Sequence, residues 1–475
     1  MLNPVRRTCD KTVVTLMVLL LLMGLVTLFS ATYYQKAATG DALAAVKKQL
    51  IGVALGAAAC VTLSRVPYRV FRRPKVTLLL LAASALMLIL VIIPGIGVSI
   101  NGSRRWLNIF GLSMQPSEFA KYAMVVFMAG ALDRRGEAID RLFTGIIPLL
   151  VVPGVMFLLI LEQPNLSTGG SILICALVML FAAGIRRRHI ALLGIGGLAV
   201  GAFYAWSAPY RRERLLSFRD PFAKMSDEGY QLSQSLIALG SGGLFGMGMG
   251  QGRQKFAYLP YPESDFIFAI VGEDFGLIGC LTVIALFVLF VLAGLRVSLA
   301  CRDRFGCLLG AGITSMIGLQ AFINMGVVTG MLPTTGLPLP FFSAGGTSVS
   351  VMMAAVGVLR TSGFLDFLSG VLAGPAAFLH IPAQVVPLLL VRLVSSSAAT
   401  GLLLDIFKTY GPDSRLGMMV SVLESCTETV FYTMSVYYLT VRISKTRWTL
   451  AGALIATFAG LVASILCSAM VTVHG

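Results

Sequence analysis

Four carboxylates cluster in the string PESDFIFAIVGED: Glu263 and Asp265 just ahead of an apolar run, and Glu273 and Asp274 inside it. An aspartate at the start of a helix can cap it. Held at the edge of an apolar phase, the same carboxylate can accept a proton from a hydroxyl group as a general base. Both readings of Asp265 stand on the sequence alone. A second group is Arg104 and Arg105 in NGSRRW. Their guanidinium forks match a phosphate or pyrophosphate, and they serve equally to reach lipid headgroups from an apolar surface. A third is Glu118 and Lys121 in QPSEFAK, three apart and so on one helical face, where they can pair or look into a common cavity.

The elements that must position these groups are membrane helices. Of the 475 residues 57% are hydrophobic and only 12% charged, with a mean hydropathy of +0.87, which excludes a soluble domain with a polar surface. Apolar runs of about 20 residues predict spans near 12–34, 48–64, 76–95, 117–132, 142–161, 169–185, 190–207, 266–295, 306–330 and 345–362. Further candidates near 365–379, 383–403, 416–441 and 449–471 complete an all-α, polytopic chain. Arg and Lys fall in alternate loops: Arg6, Arg7 and Lys11; Arg65 to Lys75; Arg134, Arg135 and Arg141; Arg186 to Arg188; Arg296, Arg302 and Arg304. By the positive-inside rule those loops face the cytoplasm. The loop with Lys36, Lys47 and Lys48 runs against it. Segments 96–116, 208–265 and 331–344 then lie outside and hold most of the polar residues. The longest contains aromatic and apolar anchors (Tyr210, Phe218, Phe222, Tyr230, Leu236, Phe245, Tyr258) and a glycine series from Gly240 to Gly250, read as an ordered loop.

The net charge of +16 is spread over loops and forms no single patch, so no nucleic-acid partner is implied. The eight cysteines show no paired spacing and read as small core residues. With three histidines and no HExxH or P-loop string, zinc and nucleotide chemistry of the soluble type are disfavoured. Residues 1–30 read as a retained first span, because the apolar run is long for a signal peptide.

Four strings, NGSRRWLNIFGLSMQPSEFAK (101–121), GYQLSQSLIALGSGGLFGMGMGQGRQK (229–255), SDFIFAIVGEDFG (264–276) and NMGVVTGMLPTTGLPLPFFSAGGTS (324–348), resemble the SEDS family, which includes FtsW, RodA and SpoVE. They stand in family order and carry the resemblance over residues 1–363. It implies a ten-span helical bundle in the cytoplasmic membrane that polymerises lipid II into glycan strands at the outer face, with a class B penicillin-binding protein transpeptidase as partner, in cell division or spore cortex synthesis. Asp265 is the implied catalytic residue. Arg104, Arg105, Glu118, Lys121, Glu263, Arg214 and Lys255 form the expected substrate-binding set, and a divalent cation is the cofactor left open. Two positions depart from the family: Tyr261 follows Leu259 and Pro260 where Glu is usual, and Asn165 stands where QPDLGT has Asp.

Residues 364–475 resemble a different family, the spore maturation protein SpmB, through 381–417 and 427–450, with the beginning of that family missing. Arg392, Asp405, Lys408, Asp413 and Glu428 are its polar candidates, with Asp413 in GPDS read as a turn. A genuine fusion and an artefactual join both remain. Two rivals to the polymerase are a lipid II flippase, which needs polar groups along a path through the bilayer, and a non-catalytic scaffold for a transpeptidase, which the two departures favour. The sequence offers few polar groups for such a path.

Overall fold

The computed structural model describes residues 4–37, 41, 43–66, 68–100, 103–109, 112–136, 141–207, 212, 218–224, 229–249, 251–254, 258–301, 303–359, 385, 388, 392, 396–426 and 449–470. The chain divides into two compact units, Met1–Thr361 and Ser362–Gly475.

In the first unit the helices are α1 (Pro4–Ala37), α2 (Ala44–Arg65), α3 (Pro74–Ile92), α4 (Pro116–Arg135), α5 (Ile147–Leu161), α6 (Leu166–Ala182), α7 (Arg187–Trp206), α8 (Tyr230–Ser241), α9 (Ile267–Leu299), α10 (Arg304–Val328) and α11 (Gly346–Leu359). Apart from the short α8, each falls on one of the ten expected spans. Six of them, α1, α2, α3, α5 with the turn preceding it, α9 and α10, are long and apolar enough to cross a membrane. The others are shorter or more polar: α6 and α11 have 17 and 14 residues, and α4 carries Glu118, Lys121, Asp133, Arg134 and Arg135. Outward faces are apolar, as with Leu78, Leu79 and Leu86 of α3, which suits contact with lipid tails.

Where helices touch, small residues let them approach. Gly52 of α2 meets Gly346 of α11 so closely that a Cβ on either would press on the other's backbone, the small-residue packing that replaces hydrophobic driving force within a bilayer.

Contacts sort the loops into two ends, as the charge alternation requires. At one end the Tyr68 hydroxyl donates to Asp303, Arg72 pairs with Asp133 at 2.8 Å and Arg304 donates to the Ala183 carbonyl. Burial first, then the Asp303 carboxylate, hold the Tyr68 phenol above its usual range. At the other end lie the acidic and glycine-rich loops. The exceptional cation Lys47 is neutralised there by Asp41 at 3.0 Å, which holds that carboxyl below its usual range.

Two loop expectations are corrected. Segment 96–116 contains a three-stranded antiparallel sheet, β1 (Gly97–Ile100), β2 (Ser103–Ile109) and β3 (Leu112–Met114), with Val98 opposite Trp106 and Leu107 opposite Met114. Within 208–265, Phe222, Phe245 and Tyr258 are exposed and are not anchors; Tyr210 lies outside the described residues. Burial falls instead to Leu232 and Ala238 of α8 and to Leu259. The glycines also reach deeper than a surface loop. Helix α9 is broken at Gly276 (φ 66°, ψ −161°), and the chain after α8 pairs with the break: Met247 N–H donates to the Glu273 carbonyl, Gly248 N–H to that of Asp274, and Leu277 N–H to that of Gly243. Only glycine adopts this geometry at 276 without strain, and the inserted segment occupies backbone groups that the break frees.

In the second unit, α12 (Ser396–Tyr410), α13 (Arg415–Cys426) and α14 (Thr449–Met470) enclose Ile406, Met419, Val420, Leu423 and Leu461. Arg392 pairs with Glu424 at 2.7 Å. Lys408 and Asp413 are exposed, whereas Glu428, the 365–379 candidate span and the 427–448 stretch lie outside the described residues.

Candidate functional site

Helix α4 opens with Pro116 at its first turn, where a missing N–H costs nothing. Its i, i+3 spacing aims Glu118 and Lys121 inward together. They pair at 2.7 Å, with side chains 3% and 0% exposed. A buried pair needs partners for its remaining polar groups: Ser348 donates to Glu118 Oε2 at 2.6 Å and Lys121 Nζ donates to Gln320 Oε1 at 2.5 Å.

Gln320 leads onward. Its Nε2 donates to the Pro338 carbonyl at 2.8 Å. One turn along the same face of α10, Asn324 Nδ2 donates to the carbonyls of Leu337 and Asp265, each at 2.7 Å. Two amides at i, i+4 thus join the ion pair, the 331–344 loop and the segment carrying Asp265 into one network. Glu263 is tied to the same loop, its carbonyl accepting from Ala344 N–H at 2.7 Å. Gly336, at φ 71°, approaches Asp265 so closely that a Cβ there would stand 3.7 Å from Oδ2.

Asp265 stands one residue before the capping position. Helix α9 begins after Phe266, which fills the capping position without a side-chain bond.

The arginines are separated by the strand they sit on, because neighbours in a strand point to opposite faces. Arg104 is exposed. Arg105 Nε donates to the Gln163 carbonyl at 3.1 Å, and its Nη2 to that of Pro164, so it clamps the turn between α5 and α6. Asn165 in that turn caps α6, its side chain accepting from Thr168 N–H at 3.3 Å. Asp and Asn cap about equally well, so the exchange of one for the other leaves this role intact. Ser167 continues the contact to the Thr335 carbonyl at 2.5 Å.

The geometry thus brings together Asp265, Glu263, Glu118 and Lys121 through shared partners, and sets Arg105 in the adjoining turn. Arg214 and Lys255 lie outside the described residues. Among the described residues no three His, Cys, Asp or Glu side chains gather as a cation site. Sequence reasoning missed Gln320 as a participant and the structural part of Asn324. Their signal was present as two amides four apart in an otherwise apolar helix, QAFIN.

The family model for FtsW, RodA and SpoVE, described as cell cycle protein, matches residues 10–362. The chain belongs to this family. Stage V sporulation protein E of Bacillus subtilis is 41% identical over 351 residues, which cover 74% of this chain and 95% of that protein. Probable peptidoglycan glycosyltransferase FtsW of Geobacter metallireducens is 40% identical over 351 residues, with 74% and 93% covered. Among solved structures, the rod shape determining protein RodA of Thermus thermophilus superposes with a TM-score of 0.53 at 27% identity, covering 74% of this chain and 94% of that one. A chain from a study of structural coordination of polymerization and crosslinking by a peptidoglycan synthase complex gives 0.60 at 27% identity, with 74% and 96% covered. The FtsW/RodA/SpoVE-type part of this chain is a multi-pass helical membrane protein, and the match stops where the first compact unit ends.

Proposed function

We propose that residues 1–363 polymerise lipid II into peptidoglycan glycan strands at the outer face of the cytoplasmic membrane. The observation that carries this reading is the hydrogen-bonded network from Ser348 through Glu118, Lys121, Gln320 and Asn324 to Asp265. It ties the segment carrying Asp265 to the 331–344 loop and to the buried ion pair of α4. Asp265 takes the proton from the 4-hydroxyl of the acceptor sugar; that oxygen bonds to C1 of the donor as the bond from C1 to the pyrophosphate oxygen breaks. The departing undecaprenyl pyrophosphate needs positive charge more than a proton. Arg104, exposed on β2, is proposed to supply it, with Arg214 and Lys255 from the long loop. Arg105 and Lys121 act by positioning the turn and the network.

The depth of the buried charges favours polymerisation over flipping. Glu118, Lys121, Glu273 and Asp274 are the buried charged residues among those described. Each lies no more than seven residues from the start of its helix, or roughly 11 Å at 1.5 Å per residue. A path through the bilayer needs such groups further in. At position 165 the cap on α6 is kept by Asn165, while the charge of an aspartate is not.

A class B penicillin-binding protein is the proposed partner, in division or in spore cortex synthesis. Residues 364–475 are proposed to be an SpmB-like membrane segment joined to the polymerase. In vitro polymerisation of lipid II by the purified chain, with and without residues 364–475, tests the assignment. Glycan strands from both forms are expected, and no product from either form refutes it.

A further inference from the structure

The segment that carries Asp265 also presents two aromatic rings. Tyr258 and Tyr261 are 57% and 54% exposed, while Leu259 between them is fully buried and donates its N–H to the Gln254 carbonyl at 2.9 Å. Downstream the backbone is fixed at Glu263 by Ala344 N–H and at Asp265 by Asn324. Between these fixed points Tyr261 sits at φ +49°. A side chain there is strained, whereas glycine would make the same turn freely. Strained residues persist where surrounding structure holds them, and they gather at functional sites. Tyr261 thus presents an exposed ring from a backbone position that glycine would take more easily.

We propose that Tyr258 and Tyr261 form a platform on which the amino-sugar rings next to the reacting sugar stack. A pyranose offers an apolar C–H face with a polar rim, and tyrosine offers an apolar face with a polar tip. Tyr261 is four residues from Asp265, a reach of at most roughly 14 Å of chain, so the platform serves the sugars flanking the one that reacts. The alternative for exposed tyrosines at this level is anchoring in lipid headgroups, which asks for no fixed backbone. The inference rests on the proposed polymerase reading, and it assigns Tyr261, where the family usually has Glu, a role in holding the strand.

The test uses the full chain in nanodiscs and a soluble β-1,4-linked N-acetylglucosamine tetrasaccharide, with binding followed by saturation-transfer NMR. The parent should bind. Tyr258→Ala and Tyr261→Ala should each weaken binding by roughly 3-fold to 10-fold, and Tyr261→Phe should retain it. Tyr261→Gly should weaken binding while leaving the protein at least as stable, which a merely structural ring would not do. A parent that fails to bind, or a doubly substituted chain that binds as well as the parent, overturns the platform; the second result with lower nanodisc stability identifies a headgroup anchor. Lipid II polymerisation is measured in parallel. Shorter strands from the Ala variants support the platform, and tetrasaccharide binding without any polymer from the parent refutes the polymerase and leaves a glycan-binding surface.

Discussion

Replacing Lys121 with Met removes the cation from a pair at 2.7 Å whose side chains are almost entirely buried. Methionine has similar bulk and little polarity, so the main change is electrostatic. Glu118 is left as an uncompensated buried charge, and breaking such a pair typically costs about 3–5 kcal/mol. Gln320 Oε1 also loses its donor, worth roughly 1–3 kcal/mol for a buried group left without a partner. The two losses share a site and do not add fully. Lys121→Met should therefore lose at least about 3 kcal/mol, read as a lowered midpoint of thermal or denaturant unfolding in detergent. Combining it with Glu118→Gln removes both charges while Ser348 can still donate to the side chain at 118, and most of the loss should return. A single variant as stable as the parent, or a double variant as damaged as the single one, would refute the reasoning that this pair ties the network together.

The other outcomes are smaller or more local. Asn165→Asp should leave stability unchanged and Asn165→Ala should cost about 1 kcal/mol, both measured by unfolding midpoint. Gly276→Ala forces a side chain into a positive-φ break against the Gly246 and Leu244 backbone; a loss of about 1–3 kcal/mol or more is expected, with increased proteolysis after α8. In a background without native cysteines, Glu162→Cys should react with an impermeant reagent from outside and Lys75→Cys only from the cytoplasm. Both positions are exposed, so equal labelling would refute the orientation.

The helices were legible because apolar runs of span length and alternating basic loops are strong signals. The sheet at 97–114 was not, since its strands are short and flanked by turns, and a hydropathy reading sees only a polar loop. Glycines 240–250 were visible as a series, but pairing with a break at Gly276 is a contact between distant parts of the chain and leaves no local mark. Asp265 stood out by chemistry, whereas Phe266 at the capping position carries no local signal. Arg105 reads as a phosphate ligand from charge and position. The backbone carbonyls of Gln163 and Pro164 that accept from it carry no sequence signature.

The most direct test of the central claim is lipid II polymerisation by Asp265→Asn. Asparagine preserves shape and the backbone carbonyl bound by Asn324, while removing the base. General-base assistance is typically worth about 100-fold to 10,000-fold, so a stably inserted protein with polymerisation reduced by that factor is expected. Polymerisation by Asp265→Asn at the parent rate would contradict the account.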